Sequence, residues 1–313
     1  MIESFLATLS SMVVMFLCML IGFILRKKGV LPDNTATVLS KLEVNVFLPA
    51  LSLTSFIKYC TVETIVSQYD VILYGCVALA ISLVIGSPLA RLFSKERNEQ
   101  NIYRYSLVIA NYGYLGCALA DAILGPEGLY LYMLFYMPLT VCVYTWGMNI
   151  LIPQEKGQKT NMFKRLINPA FIAVIAGLVL GLTGLGKYMP GLVTTTLGNL
   201  ANCMVPVSML LAGVIIGGFP VKELLKIKKV YIVTFLRLLV LPAVTIFLLW
   251  LLGADKQVLV LTLFAFASAL GLNTVVFPAA YGGDTRTGAS MALISNVAAV
   301  ITIPLMYSLL NML

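Results

Sequence analysis

The sequence predicts an all-α membrane protein whose ten transmembrane helices form two inverted five-helix repeats, with the fourth and ninth helices broken near their middles. Three observations predict it. The composition is 60% apolar and only 11% charged, with a mean hydropathy of +0.97, far outside the soluble range. The chain divides into apolar stretches of the length a bilayer demands, roughly 20 residues each. Two of them, in matching positions of the two halves, carry Gly, Asn and Pro at their centres.

The apolar stretches lie at about 4–25, 34–57, 70–92, 103–124, 129–151, 168–186, 194–217, 229–252, 257–281 and 288–310. Arg26, Lys27 and Lys28 follow the first, with no small-residue cleavage site behind it, so it is expected to be a retained helix and not a removed signal peptide. The second holds Lys41, Glu43, Asn45 and Pro49; its two charges stand toward one end, where snorkelling or helix-end contacts are expected. The fourth reads Asn111-Tyr-Gly-Tyr-Leu-Gly116 at its centre, with Asp121 near its end, and the ninth has Gly271, Asn273 and Pro278 in the corresponding place. Glycines 177, 181, 184 and 186 blur the end of the sixth, and the eighth contains Arg237 about two turns in.

The longest hydrophilic interruption is 154–165, which divides the chain into a first repeat, 1–152, a linker, 153–167, and a second repeat, 168–313. Five spans per half is an odd number, so the second half enters the membrane upside down. The pattern Asn45-Val-Phe-Leu-Pro49 recurs as Asn202-Cys-Met-Val-Pro206, with Pro32 and Pro190 upstream and Leu53 and Leu210 downstream. Most of the 21 Lys and Arg fall in or beside loops after odd-numbered spans; Lys58, Lys187 and Lys256 lie on the other side, and Lys41 and Arg237 lie within spans. The positive-inside rule makes those loops cytoplasmic and both termini external, in the plasma membrane. The net charge of +8 is therefore a topology signal, not a nucleic-acid footprint.

There is no histidine, which removes Ser-His-Asp and Cys-His catalysis and every His-based metal site. The six cysteines are scattered through apolar stretches and read as small core residues. No enzyme, metal or cofactor is expected.

A helix broken inside a bilayer strands backbone N–H and C=O groups, which is tolerated only where the break is buried in protein or lines a polar cavity. Proline removes one N–H and pushes away the carbonyl four residues earlier. Pro278 thus frees the carbonyl of Thr274, Pro49 that of Asn45 and Pro206 that of Asn202. Glycines 113, 116 and 271 let the backbone leave helical geometry. Each new half-helix presents free N–H groups and a positive dipole end to the membrane centre, which suits a carboxylate. The amides of Asn111 and Asn273 and the hydroxyls of Tyr112 and Tyr114 add polar contacts, while single glycines also serve close helix packing. A charge within the bilayer is a functional candidate by default, so Arg237 can neutralise an anion, snorkel or join two helices. Asp121 reads as a gate or structural residue. The chain lacks a dense set of mid-membrane carboxylates, which argues against strong cation coupling.

The run 111–116, the stretch SKLEVNVFLP at 40–49, PVSMLLAG at 206–213 and the broken ninth span together resemble the auxin efflux carrier family, which includes bacterial permeases for malate and malonate. The resemblance runs in order along essentially the whole chain. It implies a fold similar to bile acid–sodium symporters and sodium–proton antiporters, in which the fourth and ninth helices cross where they unwind. It further implies a scaffold of helices one, two, six and seven that usually dimerises, and an elevator-like shift of the remaining helices carrying an organic anion. Carried onto this chain, the crossover is 111–116 and 271–278, with Asn45 facing the same cavity. Many relatives have proline after the Gly116 position, where this chain has Cys117-Ala118, so the fourth helix must be broken by its glycines alone. The expected activity is carriage of a small organic carboxylate; the alternatives are a sodium- or proton-coupled symporter and a membrane sensor without turnover.

Overall fold

The computed structural model describes residues 2–151, 169–275 and 285–312. Among these residues the protein is all-helical, with an isolated β-bridge and no strand. In chain order the main helices are α1 (Ile2–Lys27), α2 (Thr35–Tyr59), α3 (Tyr69–Leu92), α4 (Arg97–Val108), α5 (Tyr112–Leu151), α6 (Pro169–Leu182), α7 (Gly191–Gly217), α8 (Lys228–Leu251), α9 (Lys256–Phe266) and α10 (Arg286–Leu310). Seven of them (α1, α2, α3, α5, α7, α8 and α10) are long and apolar enough to cross a membrane. Helices α6 and α9 are shorter and also apolar.

The fourth stretch of the sequence is split as expected. Its first half is α4, whose start is capped by the Glu96 carboxylate accepting from the N–H of Asn98 at 3.0 Å and of Glu99 at 2.6 Å. Those bonds hold Glu96 below the usual carboxylate range. Its second half opens α5, which runs on through the fifth stretch after a corner at Gly125, where φ is +73° and ψ −176°. Only glycine adopts that backbone conformation without strain.

Close helix approach decides the packing. A Cβ on Gly22 would fall 2.2 Å from the carbonyl oxygen of Leu210, and one on Gly213 1.8 Å from that of Met19, so α1 and the second half of α7 touch through their backbones. Helix α6 lies on α2 in the same way, where a Cβ on Gly181 would fall 2.5 Å from the Cys60 carbonyl oxygen. Helix α3 packs on α4 and α5, and α8 packs on α9 and α10. The centre of the bundle is α4 with α9, where Leu107, Val108, Ile109, Leu263 and Phe264 are fully buried. Helices α1 and α6 are peripheral and expose Val14, Ile21, Ile172 and Val179. An apolar surface of this kind is what lipid covers.

Two helices contain a widened π-turn just before a proline: Glu43–Phe47 precedes Pro49 in α2, and Leu236–Val240 precedes Pro242 in α8. The cause is local, since proline cannot donate to the preceding turn and its ring displaces the carbonyl there. Pro206 does not produce such a turn; α7 breaks its regular helix at Cys203, between Gly191–Asn202 and Met204–Gly217.

Candidate functional site

The two interrupted segments meet. Ile109 leaves α4 in an extended conformation, Ala110 forms an antiparallel bridge with Leu270, and the Asn111 N–H donates to the Ala269 carbonyl at 2.8 Å. The backbone groups freed by the breaks find partners on surrounding helices, as a non-aqueous interior requires. Ser82 of α3 donates its hydroxyl to the Val108 carbonyl at 2.8 Å. Arg237 of α8 reaches the Leu107 carbonyl at 3.4 Å. The Leu270 N–H donates to the Ser295 hydroxyl of α10 at 2.9 Å. Ser82 and Ser295 were not foreseen, because a lone serine in an apolar stretch carries no mark of the carbonyl or amide it will meet, whereas Arg237 takes the helix-joining role that was one of its three readings.

Beyond the bridge α5 begins with a π-turn, Tyr112–Gly116, closed by the Gly116 N–H donating to the Asn111 carbonyl at 3.1 Å. No side chain caps this start. The N–H groups of its first turn are among those a helix cannot bond internally. They open on a cavity of about 140 Å³ lined by Asn111, Tyr112, Gly113, Tyr114, Gly271 and Asn273 from the crossing segments. Its wall is completed by Ser40, Val44, Leu48, Ser52 and Phe56 of α2, by Met133, Tyr136, Met137, Thr140, Val143 and Tyr144 of α5, and by Ala170, Phe171 and Val174 of α6. Among the described residues, no Asp, Glu, Lys or Arg lines it.

Within the wall, Asn273 donates its amide N–H to the Tyr105 hydroxyl at 2.8 Å, and Tyr105 stacks on Trp146 with 6.4 Å between ring centroids. The Tyr132 hydroxyl donates to the Tyr112 carbonyl at 2.9 Å, and Tyr112 donates to Thr140 at 3.3 Å. The Asn111 side chain is 3% exposed, and its amide nitrogen has no partner among the described residues. An unpaired buried donor beside an uncapped helix start is an arrangement that awaits an acceptor.

Several expected residues lie elsewhere. Asn45 does not face the cavity: it is exposed and donates to the Lys41 carbonyl at 2.7 Å. The reason is the π-turn. Residues four apart on a straight α-helix drift by roughly 40° per step, about 120° over Ser40–Val44–Leu48–Ser52. One extra residue in the wide turn takes back roughly 100° of that, which aligns these four on the cavity and turns Asn45 away. Gly116 is covered by Tyr132 and Phe264. Thr274 is fully buried and donates its hydroxyl to the Gly271 carbonyl at 2.8 Å. Pro278 lies outside the described residues.

Arg237 is fully buried, with its guanidinium 5.2 Å from the centre of the Phe266 ring. It therefore stands where α4 and α9 both end, and it does not line the cavity. A cation there complements two negative helix ends. Glu43 also departs from expectation: it is fully buried, not set near a helix end, because α6 and α7 pack on its turn. Asn202 and Asp121 line a second cleft of about 220 Å³ toward the Tyr59 end of α2, together with Lys58.

A family model described as membrane transport protein matches residues 7–307. The chain belongs to that family, the auxin efflux carriers. A protein of Methanothermobacter thermautotrophicus described as an uncharacterized transporter is 26% identical over 214 residues, which is 67% of this chain and 68% of that one. The family is one of multi-pass transporters, not enzymes, and the long apolar helices agree with it.

Proposed function

We propose that this auxin efflux carrier homologue is a secondary transporter that moves a small organic carboxylate across the plasma membrane by alternating access. The observation that carries the reading is the crossover itself. An uncapped helix start and Asn111, whose buried amide is unpaired among the described residues, line a cavity with no ionised side chain among the described residues of its wall. A carboxylate accepts charge-assisted bonds from such donors and gains from the positive end of the α5 dipole. The cavity is close in size to one that admits benzene, which fits acids such as malonate and malate.

The architecture behind this reading is two inverted repeats, 1–152 and 168–313, joined by the linker 153–167. Helix pairings support it: adding five to each number turns α1–α7 into α6–α2, α3–α4 into α8–α9 and α3–α5 into α8–α10, and each of these pairs packs. The antiparallel bridge between the two breaks lies where a pseudo-twofold axis would pass. Helices α1, α2, α6 and α7 would form the scaffold, dimerising through it, with both termini external. The rest would slide as a body, exchanging the cavity for the cleft that holds Lys58 and Asp121.

Replacing Asn111 or Asn273 by Ala is expected to abolish counterflow of labelled carboxylate in proteoliposomes, while the variants still purify as folded membrane proteins. Wild-type rates from both variants would remove the crossover from the transport path.

A further inference from the structure

Glu43 is the one acidic side chain in the described residues whose carboxylate is fully buried with neither oxygen hydrogen-bonded to protein. It begins the π-turn of α2, immediately before Val44 of the cavity wall. Two side chains lie beside it. Ser208 of α7 places its hydroxyl 2.6 Å from the Met204 carbonyl and is the one neutral hydroxyl beside Glu43 on that helix. Tyr114, at the uncapped start of α5, also lines the cavity. Glu43 thus stands where α2 and α7 meet the crossover, at the boundary between the proposed scaffold and the proposed moving body.

An ionised carboxylate in such a place is unfavourable by several kcal/mol. Among the described residues no protein cation offers relief. Of the helices packed on the π-turn, α6, Gly191–Asn202 and Met204–Gly217 carry no titratable side chain. On α2 itself, Lys41 is exposed, and Lys58 and Tyr59 stand at the far end. Tyr114 is the remaining titratable neighbour. A metal cation would need several oxygen ligands, and the described residues hold no cluster of three Asp, Glu, His or Cys. Neutralisation by a proton is the chemistry that fits. The nearest favourable place for an ionised Glu43 is the positive end of α5 beside Tyr114, the same end that an anion in the cavity would occupy. Two negative charges there exclude each other.

We propose that Glu43 is the proton-binding group of this carrier, taking up one proton from water as an anion enters the cavity and returning it to water when the anion leaves. The inference rests on the carboxylate reading above and adds the coupled ion. Proton and anion then move together, and the body slides past α2 with no net charge at this boundary. Linkage makes the effect reciprocal: if anion binding favours the proton, the proton favours the anion.

The test is malonate and malate binding to the purified full-length protein from mildly acidic to mildly alkaline pH, with proton uptake followed in weak buffer. Above the Glu43 transition wild type should take up one proton per anion and lose roughly tenfold affinity per pH unit, and below it, where Glu43 already holds its proton, binding should be pH-independent without uptake. Glu43→Gln, fixed in the neutral form, should bind with a pH-independent affinity near the acidic wild-type value and take up no proton. Anion binding without proton uptake in wild type at every pH up to mildly alkaline, or proton uptake that persists in Glu43→Gln, overturns the proposal and leaves the carrier reading intact. Accumulation driven by a sodium gradient and indifferent to a proton gradient overturns it as well. If Glu43→Gln does not fold, Glu43→Asp should shift the pH profile, and an unshifted profile counts against Glu43. If neither acid binds or exchanges, the carrier reading fails, and infrared spectroscopy then judges Glu43 alone. A buried protonated-carboxyl band should be present in wild type and lost or displaced in the variants; no such band overturns the inference.

Discussion

Asn111 is the residue on which the site turns, because its amide is buried, unpaired and adjacent to free helix N–H groups. A hydrogen bond to a charged group contributes about 1.5–3 kcal/mol, so Asn111→Ala should weaken carboxylate binding roughly 10- to 150-fold. Asn111→Asp should weaken it further by placing a like charge beside the ligand. Equilibrium binding to purified protein checks both, and tighter binding by Asn111→Asp would contradict an anion site. The glycines of the same turn separate folding from binding. A Cβ at Gly116 would lie 1.9 Å from the Tyr132 hydroxyl, whereas one at Gly113 would meet no heavy atom within 4 Å. Gly116→Ala should therefore cost about 1–3 kcal/mol through overpacking, read as a lower melting temperature. Gly113→Ala should melt near wild type and change only ligand affinity. The candidate positions 111–114, 271 and 273 were legible because Asn and Gly in an apolar stretch have few other uses. Arg237 was ambiguous, since the carbonyl it meets belongs to Leu107, 130 positions away in the chain.

Among the elements, apolar stretches and their interruptions were legible, while helix register was not. The fourth stretch splits into α4 and the start of α5 at Ile109–Asn111, just ahead of its glycines, which lie inside the π-turn with helical backbone, and the corner between the fourth and fifth falls at Gly125. The π-turn of α2 has no composition signal beyond Pro49, yet it decides that Ser40 and Ser52, and not Asn45, reach the cavity. It also carries Glu43 into the interior, as the π-turn of α8 carries Arg237. Restoring the missing N–H with Pro49→Ala should let the turn close to regular α-helix and rotate Ser40 and Val44 by roughly 100° relative to Leu48 and Ser52. The variant should match or exceed wild-type thermal stability and bind the carboxylate more weakly. Unchanged affinity would show that the wide turn does not shape the site.

At the scale of the molecule, three of the described helix pairings, α1–α7, α3–α4 and α3–α5, recur as α6–α2, α8–α9 and α8–α10, while α1–α10 has no such counterpart. A cavity without an ionised side chain among the described residues stands at the crossover of α4, α5 and α9. Its volume of about 140 Å³ sets a size limit: malonate and malate fit, whereas a fused-ring acid such as indole acetate requires the wall to move. Exchange rates should fall in that order, and equal rates would contradict a rigid pocket.

The central claim, that the crossover of α4, α5 and α9 carries a small organic carboxylate, is tested most directly by counterflow. Proteoliposomes are preloaded with one unlabelled acid at a time from malate, malonate, succinate, lactate and indole acetate, and entry of labelled malate is followed. The account predicts that small internal carboxylates drive uptake and that Asn111→Ala removes it. Uptake no faster than in protein-free vesicles across the panel, from protein shown to be folded, would contradict it.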